Sequence, residues 1–336
     1  MINKKTKFCK AAALLGAAVM MISALAGCGK NTKVVLTAGL KKNEVFRISS
    51  ASCVLPEVMV YLTNMQNQYE SVYGSQIWNA SDGQLSLEQE EREQVLTQLA
   101  RIKVMNLLAQ KKEVTLDDKE KERAAAAGRE YFTSLNSAEV TALNVTQDLI
   151  TKMYEEYALA EKVYQTIVEN VNPEVSDDEA RTITVDRIRV GDSAKASQVL
   201  GKAKEEGVDF ETLAQAESED QTVTQSFGKG EVSEALEKAA FNLGKDEISD
   251  VVESDGSYYI LKCISTFDEA QTKANKEKIV KQRQSEAFDT EYTAFEQTLV
   301  RQLNEELWNS VTMIHQDDVK TSSFFEVYQM YFQHQE

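Results

Sequence analysis

Cys28 is the residue whose type and position predict the most chemistry in this chain. Its thiol follows the small residues Ala26 and Gly27, which close an apolar run over residues 11–27. Four lysines and no acidic residue come before that run. A basic segment, an apolar segment and small residues at a cleavage point form the layout of a secretory signal. The sequence therefore predicts export, with a reactive thiol at the cut.

The four residues that end at Cys28, Leu-Ala-Gly-Cys, resemble the lipobox of bacterial lipoproteins. The resemblance implies cleavage before Cys28, a lipid on its sulfur, and a protein tethered at the extracytoplasmic face of the cell membrane. A plain transmembrane anchor is the alternative. We favour the lipoprotein because the apolar run is at the short limit for a membrane span and contains Gly16 and Ser23.

Other chemistry finds little support in the sequence. The two histidines, His315 and His334, lie near the C-terminus without ligand-spaced partners, so we expect no metal. A phosphate-binding glycine loop and a nucleophile triad are also missing, and no cofactor is expected. Cys53 and Cys263 could form a disulfide outside the cell. Two buried free thiols are favoured, because a large fold does not need the crosslink.

The charge of the chain limits its partners. The net charge is −17, and the predicted signal over residues 1–27 contributes only positive charge. A strongly acidic body repels nucleic acid, so we expect no nucleic-acid partner. Residues 28–44 are polar without an apolar period, which predicts a tether between the lipid and the folded body.

Residues 45–172 predict a mainly helical domain after a short strand at 45–48. Apolar residues recur at three- and four-residue steps from Leu55 to Val72, which is typical of one helical face. Ser86 and Gln89 have the spacing of a capping box. Helices are expected over 56–73, 86–112, 117–131 and 144–170.

A change of pattern after Asn172-Pro173 predicts a second domain over 173–267, because the residue before proline disfavours helical angles. Alternating β-branched residues predict a strand at 182–190. Three capped helices, further strands at 247–252 and 258–264, and an Asp-Gly turn follow. The expected helix caps are Asp192, Asp209 and Ser233, and Phe227 to Gly230 is expected to be a turn.

Residues 268–336 are predicted to return to the helical domain. A charged helix is expected from 273 to about 307. Aromatic residues from Phe324 to Phe332 have the spacing of an amphipathic helix face. Packing of this face in a core is favoured over an exposed client-binding stripe, because large exposed apolar patches are uncommon.

The second block resembles parvulin-type (PpiC-type) peptidyl-prolyl isomerase domains. The resemblance is carried by DFETLAQAESED at 209–220, FGKGEVSEALEKAAFNLGKDEISDVVES at 227–254 and SYYILKC at 257–263. Together with the lipobox and the flanking helices, it resembles the PrsA/SurA family of extracytoplasmic foldases. The segment 64–78 also resembles the Gram-positive members. The implied fold is α+β, with a SurA-N-like helical chaperone domain (45–172 and 268–336) that carries an inserted parvulin-like domain.

The resemblance also implies a site, in which this chain departs from the family. Arg187 and Tyr259 stand where active parvulins carry histidines, whereas the acidic position is kept as Asp220. The proline pocket is implied to include Val232 and Leu236, in place of a Met and a Phe, and also Phe227 and Phe241. If Arg187 paired with Asp220, the two would form a structural ion pair, which is the interpretation we favour.

The implied function is a lipid-anchored foldase for unfolded or nascent secreted polypeptides, with a peptidyl-prolyl isomerase domain of reduced or no activity. A non-catalytic holdase that uses the parvulin fold to bind peptides is one alternative. The solute-binding lipoprotein of a transporter is another, although nearly continuous helix over 55–170 does not suit two α/β lobes. The sequence leaves open whether two chains pair as a homodimer.

Overall fold

The computed structural model describes residues 39–81 and 86–333. Cys28, the predicted signal, most of the predicted tether and His334 lie outside the described residues. The chain divides into two compact units, of which unit 2 is Val171–Glu286 and unit 1 comprises the described residues before and after it. Within the described ranges, no helix is both long and apolar enough to cross a bilayer. The predicted domain boundaries at 172/173 and 267/268 stay predictions.

The fold is mixed α+β, as predicted. The strands are β1 (Glu44–Ile48), β2 (Ala51–Val54), β3 (Ile183–Val190), β4 (Thr224–Phe227), β5 (Val252–Ser254), β6 (Ser257–Ser265) and β7 (Arg301–Leu303). The helices are α1 (Leu55–Tyr73), α2 (Leu87–Lys111), α3 (Asp118–Ser134), α4 (Ser137–Leu143), α5 (Gln147–Val168), α6 (Asp177–Ala180), α7 (Ser193–Ala203), α8 (Phe210–Glu217), α9 (Glu234–Phe241), α10 (Glu269–Glu296), α11 (Glu305–Asn309) and α12 (Phe324–Phe332), with a short 3-10 helix at Ser75–Asn79.

Unit 1 combines a small antiparallel sheet with most of the helices. Strand β1 lies between β2 and β7, and Phe46 pairs with Cys53 on one side and Leu303 on the other. Val45 and Phe46 are both buried, so both faces of this strand are covered. Position 303 therefore lies in a sheet with position 46, although the two are far apart in sequence.

The C-terminal helix α12 packs its aromatic residues into the core of unit 1. Phe324 is 1% exposed, and its ring stacks on that of Tyr154 with 4.5 Å between centroids. The Tyr154 hydroxyl donates a hydrogen bond to the backbone oxygen of Phe324 at 2.8 Å. Met330, on the same helix, is 52% exposed. The favoured prediction of core packing is therefore confirmed for Phe324, and the exposed stripe is not what this helix forms.

Unit 2 is built around an antiparallel sheet with the strand order β4-β3-β6-β5. Side chains alternate between the two faces of a strand, and both faces of this sheet are covered. Ile188 and Ile260 pack with α7 and α8 on one face. Val185 and Leu261 pack with Ala240 of α9 on the other face. The sheet thus separates two small apolar cores.

The predicted helix starts are confirmed where a side chain caps the backbone. Asp192, Asp209 and Ser233 accept hydrogen bonds from backbone N–H groups in the first turns of α7, α8 and α9. Ser86 and Gln89 form the reciprocal capping box of α2. These interactions involve residues two or three positions apart, so the sequence alone reveals them.

Three secondary-structure predictions are wrong in part. Residues 224–227 form the edge strand β4, so the turn expected from Phe227 begins one residue later. The strand expected at 247–252 is β5 at Val252–Ser254, preceded by a single bridge between Ile248 and Lys262. The helix expected to reach 307 ends at Glu296, and β7 and α11 follow it. Pairing with distant strands accounts for β4 and β7.

The Asp-Gly hairpin is confirmed. Ser254 pairs with Ser257 across the turn, and Asp255 and Gly256 have φ angles of 51° and 73°. Positive φ at both central residues is the geometry of a tight turn that matches the twist of the two strands. This turn fixes the register of β5 and β6 and thereby the position of Tyr259 in the sheet.

Candidate functional site

One face of the unit 2 sheet changes from apolar to charged along strand β3. Ile183, Val185, Arg187 and Arg189 occupy alternate positions and share this face. Ile183 and Val185 are fully buried in the apolar cluster. Arg187 and Arg189 keep 24% and 35% of their side-chain surface exposed. The face therefore has an apolar end, at Ile183 and Val185, and a charged end, at Arg187 and Arg189.

Asp220 brings a carboxylate to both arginines from the loop that follows α8. Its Oδ2 lies 2.8 Å from Nη2 of Arg187, and its Oδ1 lies 3.2 Å from Nη1 of Arg189. The hydrogen bond and the charge of Asp220 raise the pKa of Arg189 above its ordinary value. One carboxylate is shared by two guanidinium groups, so the cluster carries one positive charge in excess.

Hydrogen bonds hold the loop with Asp220 against β3. The Oγ of Ser218 accepts from the backbone N–H groups of Arg189 and Asp220, at 3.1 Å and 3.2 Å. The backbone N–H of Glu219 donates to the backbone oxygen of Arg189 at 2.8 Å. The loop is thus tied to the strand by its backbone as well as by the ion pairs.

The two guanidinium groups have further partners on neighbouring strands. Arg187 donates from Nη1 to the side-chain oxygen of Gln225 on β4, at 2.5 Å. Arg189 donates from Nε to the hydroxyl of Ser257 on β6, at 3.2 Å. Both arginines are therefore oriented by partners from two directions, which limits the side-chain movement available at this end of the face.

Tyr259 lies in the same row of the sheet as Arg189. It pairs directly with Arg189 in the register of β3 and β6, and it packs against the apolar cluster. Its phenolic hydroxyl can donate a hydrogen bond. The predicted site residues Arg187, Asp220 and Tyr259 are therefore brought to one face, and their roles stay predictions.

The apolar end contains the predicted pocket residues. Phe227 is buried, and its ring lies 6.1 Å from that of Phe241 in an edge-to-face arrangement. Val232 and Leu236 are half-buried and pack on the same cluster. These aliphatic side chains leave apolar surface accessible next to Tyr259. The contact of these residues with a proline ring stays a prediction.

Phe241, which is predicted to contact substrate, has two cationic side chains against its ring. The guanidinium carbon of Arg181 lies 4.9 Å from the centre of its ring, and Nζ of Lys229 lies 5.7 Å from it. Arg181 also donates to the backbone oxygen of Phe241 at 2.9 Å. Cations over an aromatic face are stabilising. Phe241 thus takes part in the packing of unit 2, and a contact with substrate stays a prediction for it.

Arg189 is the residue of this cluster that sequence reasoning missed. A signal was present, because Arg189 follows Arg187 by two positions in a predicted strand and must share its face. Its partner Asp220 is 31 positions away. The spacing therefore predicts the shared face but not the shared carboxylate.

The remaining candidate groups do not form a second site. Among residues 39–81 and 86–333, no group of three His, Cys, Asp or Glu side chains is arranged to hold a metal. Cys53 and Cys263 are buried and free, as predicted. Burial raises the pKa of both thiols, most strongly that of Cys53. Neither thiol is placed to act as a nucleophile.

Residues 160–278 match the family of the PPIC-type PPIASE domain. The chain is also 31% identical over 165 residues to the foldase protein PrsA of Streptococcus pneumoniae, an alignment that covers 44% of this chain and 53% of that protein. It therefore spans about half the length of the curated relatives it matches.

Two solved structures show a more distant likeness. The first is the peptidylprolyl isomerase PrsA of Bacillus cereus, which is 19% identical in sequence. The match covers 72% of this chain and 91% of the Bacillus cereus chain, with a TM-score of 0.37. The second structure comes from Campylobacter jejuni, from work on the two SurA-like chaperones PEB4 and Cj1289. It is 10% identical in sequence, the match covers 78% of this chain and 99% of that chain, and the TM-score is 0.30. Both TM-scores are below 0.5, so these likenesses decide nothing about activity. The family match and the curated relatives show that this chain carries a PpiC-type parvulin domain and is a homologue of the PrsA foldases.

Proposed function

We propose that this protein is an extracytoplasmic foldase that binds unfolded exported polypeptides and is held at the membrane by a lipid on Cys28. The parvulin domain and the homology to PrsA support the foldase part. The signal layout and the lipobox resemblance at residues 25–28 support the anchor. Its partners in this proposal are extended, proline-containing client segments.

The observation that carries the proposal is the apolar cluster of the unit 2 face, against which Tyr259 packs. Val232 and Leu236 supply accessible apolar surface, and Tyr259 supplies a hydroxyl next to it. Rotation about an X-Pro bond breaks no covalent bond, and its barrier of about 20 kcal/mol comes from amide resonance. A site that holds the ring and favours the twisted amide needs no nucleophile and no metal.

The charged end favours slow isomerisation or none over efficient catalysis. Arg187 places a permanent charge where active parvulins carry a near-neutral imidazole, and Asp220 and Gln225 hold it there. A guanidinium offers hydrogen-bond donors and no acceptor, so Arg187 cannot replace an imidazole that accepts a hydrogen bond. In this proposal the domain mainly binds proline-containing segments, and acceleration of isomerisation is weak.

A protease-coupled assay on a proline tetrapeptide, with an aggregation assay on a reduced client protein, tests the proposal. We expect suppression of aggregation with little acceleration of isomerisation. Strong acceleration would contradict the weak catalysis, and failure to suppress aggregation would contradict the client-binding function. A thermal shift with sugars, amino acids and short peptides addresses the transporter alternative, because a specific ligand stabilises the native state.

The anchor has its own test. We expect Cys28→Ala to abolish incorporation of labelled fatty acid and to change the membrane association of the protein in a bacterial host. Cys53→Ala is the matched control, because that thiol is buried in unit 1 and should not affect labelling. Labelling that survives Cys28→Ala would contradict the assignment of the lipid to Cys28.

A further inference from the structure

The geometry points to a carboxylate-binding subsite at Arg189. We propose that the parvulin domain prefers client segments in which an Asp or Glu lies within about two residues of the proline. This inference rests on the proposed function, because it names the substrate class of the same face. Excess positive charge, unused hydrogen-bond donors and the position of Arg189 beside Tyr259 support it.

The excess charge is unusual in this chain. The whole sequence has a net charge of −17, yet Arg187 and Arg189 share the single carboxylate of Asp220. Glu219 is a second carboxylate whose charge acts on Arg189. It lies 3.8 Å from Nζ of Lys195, which offsets its charge. A client carboxylate at Arg189 would therefore replace water rather than compete with a second protein carboxylate.

Arg189 also has donors to spare. Its Nε donates to Ser257 and its Nη1 contacts Asp220. No residue in the described part of the chain accepts a hydrogen bond from its Nη2, and the side chain is 35% exposed. A guanidinium presents its N–H groups in a planar fork that matches a carboxylate. Arg187 differs, because Asp220 and Gln225 occupy both of its terminal nitrogens.

The pairing of the strands sets the spacing in the client. Arg189 pairs directly with Tyr259, which packs against the apolar cluster of this face. Neighbouring strands lie about 5 Å apart. An extended peptide covers that distance in about two residues. A proline beside Tyr259 thus places a neighbouring acidic side chain within reach of Arg189.

Fluorescence anisotropy with labelled peptides tests the subsite. The peptides are identical except for Glu, Gln or Lys before the proline, with a second set that places these residues after it. We expect the Glu peptide of at least one set to bind about tenfold more tightly than its Gln counterpart at low salt, because a hydrogen bond to a charged group is stronger than one to a neutral group. This preference should shrink at high salt because the site is partly exposed.

Variants assign the preference to Arg189. We expect Arg189→Gln to remove the preference for Glu, measured as the ratio of the Glu and Gln dissociation constants within the variant, and Arg189→Lys to restore part of it. Lys204→Gln is the matched control, because it removes the same charge at an exposed residue paired with Asp250. Circular dichroism of each variant reports whether the fold is kept, and the peptide comparison on the unmodified protein needs no variant.

The outcomes separate this inference from the proposed function. Equal binding of the Glu, Gln and Lys peptides in both sets would overturn the subsite and leave the proposed function standing. Absence of binding by every proline peptide would overturn both. A preference for Glu that persists in a folded Arg189→Gln variant would overturn the assignment to Arg189.

Discussion

Arg187 and Asp220 form an ion pair, with 2.8 Å between Nη2 and Oδ2, at positions where active parvulins are expected to carry a histidine and an acidic residue. Asp220 is shared with Arg189, so the carboxylate stays paired even if one arginine moves. The pair replaces a titratable imidazole with a permanent charge. It is the structural reason to expect binding without efficient isomerisation.

Restoring the two family histidines tests this account. We expect the double variant Arg187→His and Tyr259→His to isomerise a proline tetrapeptide faster than the unmodified protein, because near-neutral imidazoles then face the peptide and Asp220 remains paired with Arg189. The protease-coupled assay measures the rate. Arg283→His is the control. Arg283 lies in α10 and pairs with Glu179. An unchanged rate in a folded double variant would show that the loss of the histidines does not explain weak activity.

Lys103 is expected to be critical for the stability of unit 1. Its Nζ lies 2.5 Å from Glu57 and 2.6 Å from Glu156, and its side chain is 2% exposed. Lys103→Met removes the charge that compensates both carboxylates, and loss of one partner in a buried ion pair costs about 3–5 kcal/mol. Urea denaturation measures this loss.

Lys152→Met is the control for Lys103. Lys152 contacts the same Glu156 at 3.6 Å but is 59% exposed. Exposed ion pairs contribute about 1 kcal/mol or less, so we expect a small change. Similar losses for the two variants would contradict the importance of burial at Lys103.

Glu91 is expected to make stability depend on pH. It is 2% exposed, and burial raises its pKa from 4.5 to about 7. The folded state therefore binds a proton more tightly than the unfolded state, so the free energy of unfolding falls as the pH rises from about 4.5 to 7. We expect Glu91→Gln to remove up to about 3 kcal/mol of this fall, measured by urea denaturation at about pH 5 and pH 8.

Glu90→Gln is the control for Glu91, because Glu90 is the exposed neighbour on the same helix. We expect it to leave the pH dependence as it is in the unmodified protein. If Glu91→Gln also left that dependence unchanged, Glu91 would not be the group that titrates.

Gly128 is expected to be required where α3 crosses α5. A Cβ at this position would lie 2.9 Å from the Cα of Thr151, which is backbone and cannot move aside. We expect Gly128→Ala to destabilise the protein by about 1–3 kcal/mol through overpacking, although alanine favours helix. Gly201 lies in α7, and a Cβ added there meets no atom within 4 Å outside its chain neighbours and its own helix backbone. Gly201→Ala should therefore stabilise the protein by about 0.5–1 kcal/mol. Thermal or urea unfolding of the two variants measures both signs, and stabilisation by Gly128→Ala would contradict the close crossing.

The sequence by itself determined the features that depend on neighbours a few positions apart. Ser86, Asp192, Asp209 and Ser233 were recognisable as helix caps, because a cap joins a side chain to a backbone group within three residues. The hairpin at Asp255-Gly256 was recognisable for the same reason. The α+β class followed from the order of these elements.

Only the tertiary structure decided the features that join distant residues. Strand β7 became a strand because β1 supplies its hydrogen-bond partners from the other end of unit 1. Arg189 acquired Asp220 because the loop after α8 returns to β3. A local sequence pattern does not predict these long-range contacts, because their stabilising free energy arises only when the folded chain brings the two partners together. The spare charge at Arg189 is therefore a property of the fold, although each residue that produces it was visible in the sequence.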